Sequence, residues 1–142
     1  GMNVACAPGL VHHARLYVTE LFEAVGKCRW VNDEVQLQAA TAISGSGPGY
    51  IFAFMEAMEK AALQHGLDAA TAKQLVMQTF YGTGLLATES LESFSALREQ
   101  VTSPGGTTAA GLDQFQKFGM ERMMEQAVTA AINRATELAK NS

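Results

Sequence analysis

From Val35 to Met55 the chain carries no charged residue, and no other feature restricts its folding so tightly. An uncharged run of that length could cross a bilayer as a helix. Its middle, however, reads Ser44-Gly45-Ser46-Gly47-Pro48-Gly49, which breaks a spanning helix and would strand backbone groups in lipid. The run therefore predicts no membrane partner. It predicts a short helix ending near Ile43, a turn, and a second helix with Ser46 as N-cap and Pro48 in its first turn. In that second helix Tyr50, Ile51, Phe52, Phe54, Met55 and Met58 leave little polar face, so it is expected to be central and buried on nearly all sides.

The flanking segments follow from the same periodicities. Met2 to Ala7 reads as extended and is ended by Pro8-Gly9. A single strand cannot satisfy its own ladder, so it is predicted to be the edge of a sheet whose other members are missing. Leu10, Ala14, Tyr17, Val18, Leu21, Phe22 and Val25 fall at helical spacing before a stop at Gly26. Cys28 to Val31 reads as extended, with Asn32 or Asp33 capping the next helix. The central helix ends at His65-Gly66, and Asp68 opens another to about Thr88, in which Gly82 and Gly84 mark close helix contacts or a kink. Ser93 to Gln100 is a short helix, Thr107 or Thr108 begins the next, and Gly119 ends it. The last helix carries Met120, Met124, Ala127, Val128, Ala131, Ala135 and Leu138 as a packing seam. The expected class is all-α, a helical bundle with a short extended N-terminal remnant.

Composition removes several functions. With 142 residues and 48% hydrophobic content, one domain with a real core is expected. Fourteen acids against ten bases, without a basic cluster, exclude a nucleic-acid partner. Cys6 and Cys28 lie far apart with no metal-binding or redox spacing, and read as reduced thiols of a cytoplasmic protein. His12 and His13 are adjacent, so on a helix they point about 100° apart and cannot grip one metal. His65 suits a helix C-terminus, Glu56 and Glu59 a solvated face beside Lys60, and the seven methionines core or interface filling. Neither a phosphate loop nor a GxGxxG is present, and neither Ser46 nor Ser103 sits in a nucleophile elbow.

One stretch carries chemistry. Gln100-Val101-Thr102-Ser103-Pro104-Gly105-Gly106-Thr107-Thr108 sets four hydroxyls around Pro-Gly-Gly ahead of a helix. Glycines admit close approach to the backbone, and a helix start offers unpaired N–H groups and a favourable dipole to an anion. The stretch is either a small-anion cradle or a hydroxyl-capped turn between helices.

Together, Thr41-Ala42-Ile43-Ser44-Gly45-Ser46-Gly47-Pro48-Gly49-Tyr50 and the later run from Gln100 through Thr108-Ala109-Ala110-Gly111-Leu112 resemble the C-terminal domain of pyrroline-5-carboxylate reductase. Leu21-Phe22, Val25-Gly26-Lys27, Glu125, Ala127-Val128 and Ala131 support the match, which spans essentially the whole chain. Gly49 departs from it, since the family more often has alanine there. The resemblance implies reduction of 1-pyrroline-5-carboxylate to proline with NADPH or NADH, the cofactor being held mainly by an N-terminal dinucleotide-binding domain. Residues 1–31 would be the end of that domain plus a connecting helix, and residues 32–142 the helical dimerisation and substrate-binding domain. The implied assembly is a homodimer or a higher homo-oligomer built on dimers. The implied catalytic residue is Thr108, near the ring nitrogen. Val101, Ser103, Gly105, Gly106, Thr107 and Thr108 would bind the small-molecule substrate, with N–H groups of Gly105, Gly106 and Thr107 on its carboxylate. Ser44, Gly45, Ser46 and Gly47 would face the nicotinamide end, with no metal involved. Without a cofactor domain the chain is expected to be inactive. The alternatives are a non-catalytic helical dimerisation module and a related two-domain oxidoreductase acting on another substrate.

Overall fold

The computed structural model describes residues 1–140. It is all-α apart from one short parallel sheet. Backbone packing divides it into two compact units: Gly1–Pro48 together with the chain from Met124 onward, and Gly49–Met123.

In the first unit, β1 (Met2–Ala5) leads into α1 (His12–Glu23) and then β2 (Lys27–Trp30). The strand expected to lack a partner finds one within the chain: β1 pairs in parallel with β2, Met2 opposite Lys27 and Ala5 opposite Trp30. Parallel pairing needs a crossover, and α1 supplies it. Side chains then tie that helix to the strands. Trp30 Nε1–H donates to Thr19 Oγ1 at 2.9 Å, Asn3 Nδ2 donates to the Phe22 carbonyl at 3.0 Å, and the Arg15 guanidinium lies 4.7 Å from the Trp30 ring centre. Cys6 and Cys28 are free thiols.

Asp33 starts α2 (Glu34–Ala40) by accepting the Gln36 N–H at 2.8 Å, while the Gln36 side chain accepts from the Asn32 N–H. Beyond Ala40 the expected turn is absent. The helix widens into one π-helical turn, Thr41–Gly45, and α3 (Gly47–Gln64) follows after Ser46 alone. Ser46 is itself in the right-handed helical region (φ −84°, ψ −26°). It is therefore no N-cap, because a capping residue must be extended to aim its side chain at the next turn. Also in this unit α7 (Met120–Lys140) approaches α2, where the Thr136 hydroxyl lies 2.9 Å from Gln38 Oε1.

In the second unit, α3 ends at Gly66, whose φ of +91° lets the Leu67 N–H reach the Ala62 carbonyl. Asp68 caps α4 (Ala69–Glu89) and Ser93 caps α5 (Phe94–Gln100). Helix α6 (Thr107–Lys117) closes at Gly119. Phe54 of α3 meets Phe80 of α4 and Phe115 of α6 edge-on, at ring-centre distances of 6.3 and 5.8 Å. Helix α4 runs unbroken through Gly82 and Gly84, and neither marks a close helix contact among the described residues, since a Cβ at either would meet nothing within 4 Å.

Two expectations about burial fail in this chain. Among the described residues the buried apolar side chains are Ala42, Ala72 and Val76, and α3 has none. Phe52 is 68% exposed and Phe118 86% exposed, and Leu75, Tyr81, Met123 and Leu138 also face outward. Fully burying one large apolar side chain stabilises a fold by about 1.5–3 kcal/mol, against a net stability of roughly 5–15 kcal/mol for a whole domain. So many left in water is a surface built to be covered. Periodicity located the apolar faces, and within this chain those faces stay exposed.

Candidate functional site

The stretch from Val101 to Ala109 is shaped by three short-range devices. First, Thr102 closes the end of α5: its N–H donates to the Glu99 carbonyl at 3.0 Å and its hydroxyl to the Arg98 carbonyl at 2.6 Å. One of the four hydroxyls of the stretch is thereby spent on the turn. Second, Ser103-Pro104-Gly105-Gly106 closes a β-turn in which the Gly106 N–H donates to the Ser103 carbonyl at 2.9 Å. Proline second and glycine third, the latter at φ +68°, is the type II combination. Third, Gly106 is extended (φ −79°, ψ 175°) and serves as N-cap of α6 without any side-chain hydrogen bond. A Cβ at Gly106 would lie 3.1 Å from the Ser103 carbonyl oxygen, so any other residue there would require the turn to give by a few tenths of an ångström.

This geometry leaves a defined set of donors. The first backbone bond of α6 runs from the Ala110 N–H to the Gly106 carbonyl, which leaves the N–H groups of Thr107, Thr108 and Ala109 without helical acceptors. The Gly106 N–H belongs to the β-turn. Of the expected Gly105-Gly106-Thr107 set, Gly106 is thus spent on the turn, while Thr108 and Ala109 add backbone donors further into the helix. The signal was the helix start itself: α6 begins at Thr107, and the first N–H groups after an N-cap are the free ones. Among the described residues, the hydroxyls of Ser103, Thr107 and Thr108 make no internal hydrogen bond, and Val101, at the edge of the stretch, is exposed.

Electrostatically the stretch relies on dipoles. Val101 to Ala109 contains no titratable side chain. Arg98, the nearest cation in sequence, donates through Nη2 to the Ser95 hydroxyl at 3.3 Å. Three convergent N–H groups at the positive end of an eleven-residue helix suit a carboxylate or a similar small anion. An open depression of about 690 Å³, lined by Arg98, Thr102, Ala109, Asp113 and Arg122 among others, adjoins this stretch.

The second predicted group, Ser44, Gly45, Ser46 and Gly47, lies in the other compact unit, at the π-turn. The Ser44 hydroxyl donates to the Ala40 carbonyl at 2.8 Å, and the Ser46 N–H reaches back five residues to the Thr41 carbonyl at 3.0 Å. A Cβ at Gly47 or Gly49 would meet no atom within 4 Å, so the backbone here is open to a flat group laid against it. Alanine would fit equally well at Gly49.

The description pyrroline-5-carboxylate reductase dimerisation matches residues 34–138. Over 125 residues the chain is 44% identical to a pyrroline-5-carboxylate reductase of Haemophilus influenzae, a match that covers 87% of this chain and 46% of that protein. A Pseudomonas aeruginosa protein of the same name is 46% identical over 121 residues, covering 85% of this chain and 44% of the relative. Among solved structures, a pyrroline-5-carboxylate reductase from Coxiella burnetii superposes with a TM-score of 0.92 at 38% identity, over 96% of this chain and 51% of the other. A Plasmodium falciparum pyrroline carboxylate reductase with NADP bound gives 0.82 at 32% identity, over 92% of this chain and 50% of that one. The chain thus spans about half the length of the proteins it matches.

Proposed function

The chain belongs to the pyrroline-5-carboxylate reductase dimerisation family, and from that membership we propose that it is the substrate-binding and dimer-forming half of an enzyme that reduces 1-pyrroline-5-carboxylate to L-proline with NADPH or NADH. The observation that carries this reading is the uncapped start of α6, with its unpaired N–H groups and free hydroxyls behind a Ser-Pro-Gly-Gly turn.

The substrate is a five-membered cyclic imine bearing a carboxylate. Its carboxylate sits against the N–H groups of Thr107, Thr108 and Ala109, assisted by the Ser103 hydroxyl, with Gly105 and Gly106 keeping that approach free of side chains and Val101 lining the edge. The Thr108 hydroxyl faces the ring nitrogen. Since no acid or base lies between Val101 and Ala109, the imine binds already protonated, and the Thr108 oxygen accepts the iminium N–H and holds that proton in place. Polarised in this way, the C=N carbon is electron-poor, and one hydride added to it gives the amine without further proton transfer. Positioning and polarisation, rather than general acid catalysis, are the protein's contribution.

NADPH or NADH supplies the hydride when bound. The residues of this chain that fit its nicotinamide end are Ser44 to Gly47, where glycine leaves open backbone. Residues 1–31 are the end of the cofactor-binding part and a connecting helix, and residues 32–142 the dimerisation and substrate part. A second copy of the chain covers the exposed apolar faces of α3, α4 and α7 in a homodimer, or in a larger assembly built on dimers. The protein is placed in the cytoplasm, where its two free thiols stay reduced.

The test is NAD(P)H oxidation dependent on 1-pyrroline-5-carboxylate, with the full-length protein, meaning this chain with any segment its gene encodes ahead of it. Turnover with this imine but not with hydroxy-acid dehydrogenase substrates is expected. Turnover of another substrate class instead, or none, would sink the reading. Sedimentation should give a dimer or a multiple of one, and a stable monomer would remove the second copy.

A further inference from the structure

The π-turn at Thr41–Gly45 is an expensive way to continue a helix, because the switch from i−4 to i−5 bonding puts one residue out of register. Glycine at position 45 adds backbone entropy to that cost. Something must hold the wider turn, and two hydroxyls are placed to do so. Thr41 Oγ1 donates to the Leu37 carbonyl at 2.8 Å on the turn's leading side, and Ser44 Oγ donates to the Ala40 carbonyl at 2.8 Å inside it. Each adds a second donor to a helical carbonyl, the kind of side-chain bond that bends and loosens an α-helical ladder.

The segment is anchored as well. Ala42, at the middle of the turn, is 1% exposed. One turn earlier, Gln38 meets Thr136 of α7. Thr136 has one proton and its oxygen also lies 3.0 Å from the Ile132 carbonyl, so the amide of Gln38 is best satisfied with its NH₂ donating to Thr136 Oγ1. The turn therefore has a fixed base and a hydroxyl-held shape, and its exit is the open Gly45-Ser46-Gly47 backbone.

Resting on the reading that this backbone faces the nicotinamide end of the cofactor, we infer that Thr41 and Ser44 are positioning residues: their hydroxyls hold the π-turn, and cofactor affinity depends on them although their protons are spent on Leu37 and Ala40. This assigns Ser44 a role through the backbone rather than by direct contact.

The experiment uses the full-length protein with NADPH and 1-pyrroline-5-carboxylate varied separately, together with hydrogen exchange at the Ser46 amide. Ser44→Ala should raise KM for NADPH about fivefold, the factor that one net hydrogen bond is worth, and should speed exchange at Ser46 while leaving KM for the imine unchanged. Ser44→Thr, which keeps the hydroxyl, should restore both, and Thr41→Val should act in the same direction as Ser44→Ala. Faster exchange with an unchanged NADPH KM would overturn the inference, as would a parallel rise in both KM values, which signals general loosening. A wild-type protein without imine reduction would instead overturn the functional reading on which it rests. An active wild type with indifferent Ser44 and Thr41 variants overturns only the positioning role.

Discussion

Helices α4 and α6 begin with the same physical problem and resolve it in opposite ways. Each leaves backbone N–H groups pointing out of its first turn. At α4, Asp68 answers them internally: Oδ1 accepts the Thr71 N–H at 3.0 Å and Oδ2 the Thr71 hydroxyl at 2.7 Å. At α6 the cap is Gly106, which has no side chain to offer, and threonines sit in the first turn with free hydroxyls. A helix start closed by its own carboxylate is a structural joint. A start left open behind a rigid turn gives up that stabilisation and keeps its donors for a ligand, which is the trade expected of a binding site.

The sharpest way to break this contrast is to fill the open end. Gly106→Val drives a branched side chain toward the Ser103 carbonyl, within 3.1 Å already for the Cβ. Displacing the donors by a fraction of an ångström to an ångström should lower kcat/KM about 100-fold or more, with helix content and dimer mass unchanged in circular dichroism and sedimentation. Normal kinetics in a folded Gly106→Val protein would make the α6 start a turn and nothing more. A smaller effect is expected from Thr108→Ala, which removes one hydroxyl and leaves the backbone as it is. Loss of one hydrogen bond to a charged group should lower kcat/KM about tenfold, and unchanged kinetics would remove Thr108 from the iminium contact. At the closed end the expectations reverse: Asp68→Ala should lower the melting temperature while kcat/KM stays at the wild-type value. Lost activity in that variant at full folding would mean the two helix starts are not independent.

How far these two ends were legible beforehand differs for a physical reason. Asp33 and Asp68 were readable as helix starts because capping is local: a residue of the right type, followed by helical spacing, suffices. The chemistry of the Ser103-Pro104-Gly105-Gly106 turn was equally local, since proline and glycine dictate φ where they stand. Of the expected donors Gly105, Gly106 and Thr107, the Gly106 N–H is taken up by the turn, a hydrogen bond that composition does not show. Ser46 was misread for a related reason. Ser-Gly-Ser-Gly-Pro-Gly has the composition of a turn, yet hydroxyl back-bonds from Thr41 and Ser44 let the chain stay helical through it. The largest failure concerned α3. Its apolar residues are those expected, but none is buried within this chain, and an apolar pattern by itself cannot tell an internal core from a face that stays exposed in the single chain.

The smallest expected effect separates the two helix starts by pH alone. The Thr71 hydroxyl, followed by the Thr71 N–H, holds the Asp68 carboxyl below its ordinary value of 3.8. Because the folded value is the lower one, the unfolded chain takes up this proton first as the pH falls. The carboxylate's contribution is therefore complete above 3.8 and is lost as the pH drops through the depressed folded value. Asp68→Asn keeps a side-chain oxygen for the Thr71 N–H but cannot titrate. Wild type should melt slightly higher than Asp68→Asn at neutral pH, and the difference should shrink once the pH passes below 3.8 in a series of thermal melts. A gap that stays constant with pH would show that the charge of Asp68 contributes nothing and that its oxygen alone closes the helix. The start of α6 has no counterpart to this dependence, since no group between Val101 and Ala109 titrates. A pH response there must therefore come from outside these nine residues, and the bound imine, whose own proton the Thr108 hydroxyl is proposed to hold, supplies one such group.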